Sequence, residues 1–200
     1  HSRFSVIDVS NLCLTISAHF KPGGAALFLP LPAAELDNEV VSLETLWGAS
    51  ATDLREQLLA ATIPESRFRI LEQFLLKRLV QSRDSRPAVS FALSAFQAAR
   101  ARPSIAEVTE RLGLNPKRFI HLFHEEVGLT PKRFCRVLRF QEVLRLIEQG
   151  QPIAWADIAL GCGYYDQAHF IHDFQDFSGL TPQSYLAQRG EHHNHVPLPD

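Results

Sequence analysis

Hydrophobic and polar positions follow two different periods along this chain, and the change between them falls near Leu43. Apolar and polar residues alternate over Leu12–Phe20, and this period of two is typical of a strand with one face on a core. A turn is predicted at Lys21–Gly24, where a proline precedes two glycines, and Glu39–Leu43 is a second candidate strand. From Leu43 onward the period moves toward about 3.6 residues, which is the period of an amphipathic helix.

Two apolar stripes predict helices in the middle of the chain, and the second of these helices begins at Pro64. The first stripe consists of Leu54, Leu58 and Leu59, and the second consists of Ile70, Leu71, Phe74, Leu75 and Leu79. The segment Gln81–Pro87 is polar, charged and closed by proline, a composition typical of an interdomain linker. We therefore predict a domain over 1–80, a linker over 81–87, a helical domain over 88–189 and a flexible tail over 190–200.

One supersecondary unit occurs twice in the helical half, and each copy ends in the tetrapeptide Gly-Leu-Thr-Pro. These tetrapeptides lie at Gly128–Pro131 and Gly179–Pro182, and superposing them also superposes a Phe-x3-Phe pair of each unit. Each unit has a short helix, a turn at a glycine, and a second helix with one apolar side. The turn glycines are Gly113 and Gly163, and the phenylalanine pairs are Phe119 with Phe123 and Phe170 with Phe174. This order predicts two helix-turn-helix motifs, in which the second helix enters a major groove of DNA.

Capping residues predict where the helices of this half begin. Ser104 and Glu107 have the spacing of a capping box at the start of the first short helix. Asn115 is the predicted N-cap of the second helix, and Asp166 occupies the equivalent position in the second unit. The two units are joined by a long helix predicted over Pro131–Gln149, with proline at its first position.

The second half of the chain, roughly Arg86–Arg189, resembles the AraC/XylS family of bacterial transcription regulators. The resemblance is carried by the doubled Gly-Leu-Thr-Pro, the phenylalanine pairs, the turn glycines and the string DQAHF at Asp166–Phe170. The front, HFKPGGAALFLPLPAAEL followed by LETLWG, is similar to the N-terminal domain of one AraC-like subgroup. Because the chain begins at His1 and contains no methionine, we expect that part of this domain is missing.

The resemblance implies a mainly α fold, with two helix-turn-helix subdomains joined by a long helix and preceded by a partial small β-rich (α+β) domain. It also implies that the two recognition helices lie in successive major grooves. Carried over position by position, the residues expected to contact bases are Lys117, Arg118, His121, Gln167, Ala168 and His172. The residues expected to contact phosphates are Lys132, Arg133, Arg136 and His169. His121 and His172 depart from the family, which commonly carries arginine at these two equivalent positions.

The charge of the chain is nearly balanced, with a formal net charge of −2 at pH 7. Arg100–Arg189 holds eleven lysines and arginines against ten aspartates and glutamates, which is far from the basic footprint expected of a DNA-binding domain. The cations cluster around the first unit, whereas the second unit carries Asp166, Asp173 and Asp176. This balance leaves an alternative open, namely a helical protein-interaction module that kept the fold without specific DNA binding.

Other functional classes find no support in the sequence. The patterns GxSxG, HExxH and CxxC are absent, so we predict no catalytic residue, no metal site and no cofactor. The three cysteines are odd in number and lack metal-ligand spacing, which indicates reduced thiols. No apolar run approaches the length of a membrane span and no signal peptide is visible, so we expect a cytoplasmic protein without a membrane partner. The expected partners are promoter DNA, RNA polymerase, and either a small-molecule effector or a second copy bound through the N-terminal domain.

Overall fold

A computed structural model describes residues 15–79, 86–98, 103–149 and 154–188. Over these residues the protein has two short 3-10 helices, Gly24–Leu27 and Ala33–Leu36, ten α-helices and no strand. The α-helices are α1 (Leu43–Trp47), α2 (Ala49–Ala60), α3 (Pro64–Leu79), α4 (Pro87–Gln97), α5 (Ile105–Leu112), α6 (Pro116–Val127), α7 (Pro131–Glu148), α8 (Trp155–Gly161), α9 (Gln167–Ser178) and α10 (Pro182–Gln188). They form two compact units, one over residues 15–131 and one over residues 132–188.

The mainly helical fold is confirmed, but the predicted strands are not seen in the described residues. Thr15–Phe20 has no regular secondary structure, and the start of the predicted strand, 12–14, lies outside the described part. Alternating side chains do not make a strand by themselves, because the backbone donors and acceptors of a strand need a partner strand. The turn that follows is confirmed, since the backbone N of Gly24 donates to the carbonyl oxygen of Lys21 at 2.8 Å.

The second candidate strand, Glu39–Leu43, is wrong for a local reason. Leu43 is the first residue of α1, and Ser42 caps this helix by accepting a hydrogen bond from the backbone N of Thr45 at 3.1 Å. Serine in this position satisfies a backbone donor that the first helical turn leaves free. The cap therefore starts a helix where the apolar pattern alone favoured a strand.

Trp47 joins α1 to α3 and to the residue that follows the first 3-10 helix. Its ring lies 5.2 Å from that of Phe74, its Nε1 donates to the carbonyl oxygen of Phe28 at 3.1 Å, and the Arg78 guanidinium stacks 4.6 Å from it. The predicted start of α3 at Pro64 is confirmed.

The apolar stripe predicted for α2 is correct only in part. Leu54 is buried, but Leu59 is 70% exposed. Leu54 and Leu58 are four residues apart and share one side of the helix, whereas Leu59 is turned about 100° away from Leu58.

The first helix-turn-helix motif, α5 and α6, begins and ends at the residues predicted for it. The capping box is present, because Glu107 accepts from the backbone N of Ser104 at 2.7 Å and donates its own N–H to the Ser104 hydroxyl at 3.2 Å. Gly113 ends α5 in the left-handed conformation, at φ 61°. Asn115 then caps α6 by accepting from the backbone N of Lys117 at 2.9 Å.

Aromatic side chains form the core of this motif. Phe96 of α4 and both Phe119 and Phe123 of α6 are fully buried. The ring of Phe123 lies 6.0 Å from that of Phe96 and 5.7 Å from that of Phe119. Because the ring of Phe96 packs on that of Phe123, α4 and the helix-turn-helix motif share one core. Each buried phenylalanine contributes about 1.5–3 kcal/mol to folding.

The region of the 3-10 helices packs directly on the same motif. A Cβ placed on Gly23 would lie 3.0 Å from Cδ1 of Leu93 in α4, and one placed on Gly128 would lie 3.0 Å from the carbonyl oxygen of Ala33. Gly128 also has a φ of 83°, which residues with a side chain rarely adopt. Both the backbone conformation and the close approach of Ala33 therefore favour glycine at 128.

The second unit repeats the scheme with its own core. Phe170 and Phe174 of α9 are fully buried, and Phe177 is nearly so. Phe170 and Phe174 are packed with Val143 and Ile147 of α7, with Ala159 of α8 and with Tyr185 of α10. Asp166 caps α9 by accepting from the backbone N of His169 at 2.7 Å, as its equivalence to Asn115 predicts.

We expect Gly128→Ala to destabilise the protein more than Gly113→Ala. Both glycines have a positive φ, but nothing lies within 4 Å of a Cβ on Gly113, so this variant carries backbone strain alone. That strain costs about 1–2 kcal/mol, and the contact with Ala33 adds at least about 1 kcal/mol at position 128. Urea denaturation of the two variants measures the difference. Equal losses would show that Ala33 does not restrain residue 128.

Candidate nucleic-acid interface

The first recognition helix, α6, exposes the three residues predicted to contact bases. Its inner side is fixed by Phe119 and Phe123, which are fully buried. Lys117 and Arg118 are exposed, and the side chain of His121 is 70% exposed. The helix therefore presents two permanent cations and an imidazole on its solvent side.

The second recognition helix, α9, presents a less charged surface. Gln167 and Ala168, in its first turn, are exposed, and the side chain of His172 is 74% exposed. An amide, a methyl group and an imidazole can make base contacts, but none carries a permanent charge. The predicted base-contact residues are thus on the accessible side of each helix, with more cationic character on α6.

Two adjacent glutamates near the end of α6 bind Arg86, which precedes α4. Nη1 of Arg86 donates to Glu125 at 2.6 Å, and its backbone N donates to Glu126 at 3.2 Å. Glu126 is buried, and this burial raises the pKa of its carboxyl group, an effect that the N–H of Arg86 opposes. Glu125 also lies 3.5 Å from Nε2 of His121. The pair of His121 and Glu125 could have been predicted from the sequence, because residues four apart on a helix are neighbours.

Among the predicted phosphate contacts, Lys132 is exposed and Arg133 is half-buried, whereas Arg136 is engaged within its own unit. Both Nε and Nη2 of Arg136 donate to Oδ1 of Asp173, at 3.1 and 2.7 Å. Nη2 also donates to Asp176 at 2.8 Å. The hydrogen bond to Asp173 raises the pKa of Arg136 above its ordinary value. The structure thus gives Arg136 a role in joining α7 to α9, and its contact with phosphate stays a prediction.

Asp173 lies on the buried side of α9 and is the centre of this charged cluster. Its Oδ2 lies 3.8 Å from Nη2 of Arg139 and 3.9 Å from Nε2 of His169. The His169 ring meets the edge of Tyr164 at 5.3 Å, and burial raises the pKa of the Tyr164 hydroxyl. His169, which was predicted to contact phosphate, therefore lies beside Asp173 and Tyr164. Sequence reasoning missed this cluster, because nothing in the local pattern marks which arginine meets which aspartate.

One group of side chains has metal-ligand spacing, but it already surrounds a cation. His172, Asp173 and Asp176 offer ligand atoms within 4.8 Å of one another. The guanidinium of Arg136 donates to both aspartates. Because that positive charge already compensates the two carboxylates, we assign no metal site to this group.

A comparison with protein-family models decides what kind of interface this is. Residues 108–188 match a family model described as a helix-turn-helix domain. This stretch is an AraC-type helix-turn-helix domain. The match begins within α5 and ends with α10, so it includes both recognition helices and the joining helix α7. No curated protein and no solved structure matches the chain.

The family match gives the domain a class of function. AraC-type domains bind DNA and act in transcription regulation, in agreement with the exposed recognition helices. Among the described helices, none has both the length and the apolar character needed to cross a membrane.

We expect Glu126→Gln to stabilise the AraC-type domain near pH 7. Burial raises the pKa of Glu126 in the folded protein above its unfolded value, so the folded state takes up this proton first as the pH falls. The penalty of the charged carboxylate is therefore present at neutral pH and disappears as the pH falls through the folded pKa. Thermal denaturation should show a higher Tm for the variant at about pH 7, and a smaller difference at about pH 4.

Glu125→Gln is the matched control for this change. Glu125 is more exposed and pairs with the Arg86 guanidinium, so its neutralisation should bring no gain in Tm. A loss of Tm in Glu126→Gln at about pH 7 would contradict the assigned cause.

Proposed function

We propose that this protein is a sequence-specific transcription regulator whose helices α6 and α9 read two successive major grooves of promoter DNA. The observation that carries the proposal is the doubled motif within the family match: both recognition helices are capped, anchored by a phenylalanine pair and exposed on their outer side. Because both helices belong to one chain, the DNA site need not be symmetric. Half-sites about 34 Å apart would place the two helices on one face of the duplex.

Base contacts are assigned by side-chain chemistry. Lys117 and Arg118 are donors that suit the O6 and N7 atoms of guanine, and Gln167 can pair with adenine through two hydrogen bonds. Ala168 can contact the methyl group of thymine. His121 and His172 each offer one donor and one acceptor when neutral, so they can read either kind of base edge.

The two units are proposed to contribute unequally to affinity. Lys132 and Arg133, at the start of α7, supply phosphate contacts. In the second unit, Arg136 and Arg139 lie against Asp173 instead. The first helix-turn-helix motif then provides most of the attraction to the backbone, and the second mainly provides base recognition.

The N-terminal part of the chain is proposed to regulate the domain, either by binding an effector or by self-association. In the first unit, α3 and Phe28 line an open cavity of about 370 Å³. Its walls are apolar except for one carboxylate, and the lining residues are Phe28, Phe68, Leu71, Glu72, Leu75, Leu76 and Leu79. We place this regulatory part before the linker at 81–87, the DNA-binding domain at 88–189, and RNA polymerase among the partners. The protein would act in the cytoplasm, where promoter DNA lies.

The alternative, a protein-interaction module without specific DNA binding, is favoured by the near-neutral charge and by the two histidines His121 and His172. Selection from a random pool of duplexes, followed by binding measurements at several salt concentrations, separates the two. A regulator enriches one sequence and loses affinity as salt rises. Failure to enrich any sequence would leave the interaction module as the better explanation.

We expect the double variant Lys132→Ala, Arg133→Ala to weaken binding to all DNA sequences alike. Each lost phosphate contact reduces the number of released counterions, so the slope of log affinity against log salt should become shallower by about one unit for each residue. Arg145→Ala is a matched control, because Arg145 is an exposed cation that already pairs with Glu142. If only the preferred sequence is weakened, the two residues contact bases rather than phosphates.

The double variant His121→Arg, His172→Arg should bind DNA more tightly than the unchanged protein. Both side chains are exposed on the recognition helices, and two added permanent charges attract the phosphates. His124→Arg adds a charge at a half-buried position of α6 and is the matched control. Binding by the double variant that is no tighter than that of the unchanged protein would show that these two positions do not face DNA.

A further inference from the structure

The two recognition histidines share the same neighbourhood, although they lie on different helices. Superposing the repeats places His121 on His172 and Glu125 on Asp176. In α6, Nε2 of His121 lies 3.5 Å from Oε1 of Glu125. In α9, Nδ1 of His172 lies 3.7 Å from Oδ2 of Asp176. Each imidazole thus has a carboxylate one helical turn further along, on its own helix.

Each carboxylate is in turn held by an arginine from outside its helix. Nη1 of Arg86, before α4, lies 2.6 Å from Glu125, and Nη2 of Arg136, in α7, lies 2.8 Å from Asp176. The two arginines come from different places in the two units. Each recognition helix therefore has an arginine that binds a carboxylate and a histidine next to that carboxylate, although the two arginines come from different elements.

We propose that Glu125 and Asp176 are positioning residues for DNA recognition, which hold the rings of His121 and His172 in one orientation. A carboxylate only accepts hydrogen bonds, so it favours the orientation in which a ring nitrogen that carries a proton faces it. This inference rests on the proposed function, because it concerns how the two recognition helices read DNA.

Other charged groups lie near the two rings and differ between the units. Lys117 and Arg118 precede His121 on α6, and Arg86 faces Glu125. Around His172 the neighbours are Asp173, Asp176 and the guanidinium of Arg136. The carboxylate at the position four residues after the histidine is the feature common to both sites.

Whether loss of a carboxylate weakens or strengthens DNA binding distinguishes a positioning role from an effect of its charge alone. Removing a carboxylate from a surface that faces a polyanion ordinarily strengthens binding, because it removes repulsion. Loss of a positioning residue weakens binding instead. The variants Glu125→Ala and Asp176→Ala are compared at about pH 7.5 with Glu142→Ala, whose side chain also pairs with an arginine on an exposed helix face.

The binding experiment uses the full chain and the duplex enriched from the random pool, with fluorescence anisotropy as the measurement. We expect Glu125→Ala and Asp176→Ala to bind roughly two- to fivefold more weakly, the effect of one lost exposed side-chain pair, and Glu142→Ala to bind as tightly as the unchanged protein or more tightly. Glu125→Gln and Asp176→Asn keep an acceptor oxygen, so they should recover part of the affinity. Binding by both alanine variants that equals or exceeds that of the unchanged protein would overturn the proposal.

A double-mutant cycle tests whether the carboxylates act through the histidines. Glu125→Ala should have no further effect once His121 is changed to Gln, and the same holds for Asp176→Ala with His172→Gln. A purely structural role would weaken binding equally in both backgrounds and would overturn the proposal.

Nitrogen-15 NMR of the free protein tests the pairing without DNA. We expect the nitrogen that faces the carboxylate, Nε2 of His121 and Nδ1 of His172, to carry the proton, and the opposite tautomers would overturn the proposal. If the unchanged protein binds no duplex, the proposed function fails, but the NMR result still decides whether the carboxylates position the two rings.

Discussion

The interface depends on the burial of two phenylalanines in each recognition helix. Phe119 and Phe123 in α6, and Phe170 and Phe174 in α9, have no exposed surface. Residues four apart lie on the same side of a helix, so burying both sets the rotation of that helix about its axis. The residues on the other side, among them His121 and His172, are then exposed whatever their own preferences. Core packing, rather than any property of the outer side chains, therefore selects the candidate DNA-facing surface.

The near-neutral charge of the chain has a structural explanation in the second unit. Asp173 is buried against α7, and a buried carboxylate without a partner would be costly. Arg136 supplies that partner, and Arg139 lies on its other side. These two cations are counted in the sequence as if they were available to DNA, but they stabilise the packing of α9 on α7. A count of the cations alone thus overstates the attraction of this unit for phosphates.

The first helix-turn-helix motif is joined closely to the residues before it. The 3-10 region reaches it through Ala33 and Gly128, and Arg86 binds both Glu125 and Glu126 near the end of α6. A change in the N-terminal part would therefore act directly on the first recognition helix. Under the proposed function, this is the shortest route from regulation to DNA binding.

The sequence alone determined the elements whose signals are local. The capping box at Ser104, the N-caps Asn115 and Asp166 and the glycine turn at Gly113 each depend on residues a few positions apart, so α5, α6 and α9 could be predicted with their boundaries. The inner and outer sides of both recognition helices followed from their periodicity.

Only the tertiary structure decided what depends on distant partners. The alternation over Thr15–Phe20 did not produce a strand in the described residues, because a strand needs another strand to complete its hydrogen bonds. The pairs of Arg86 with Glu125 and of Arg136 with Asp173 join residues 39 and 37 positions apart. Several arginines and carboxylates could form such pairs equally well from the sequence, and the packing of the helices brings only some of them within reach.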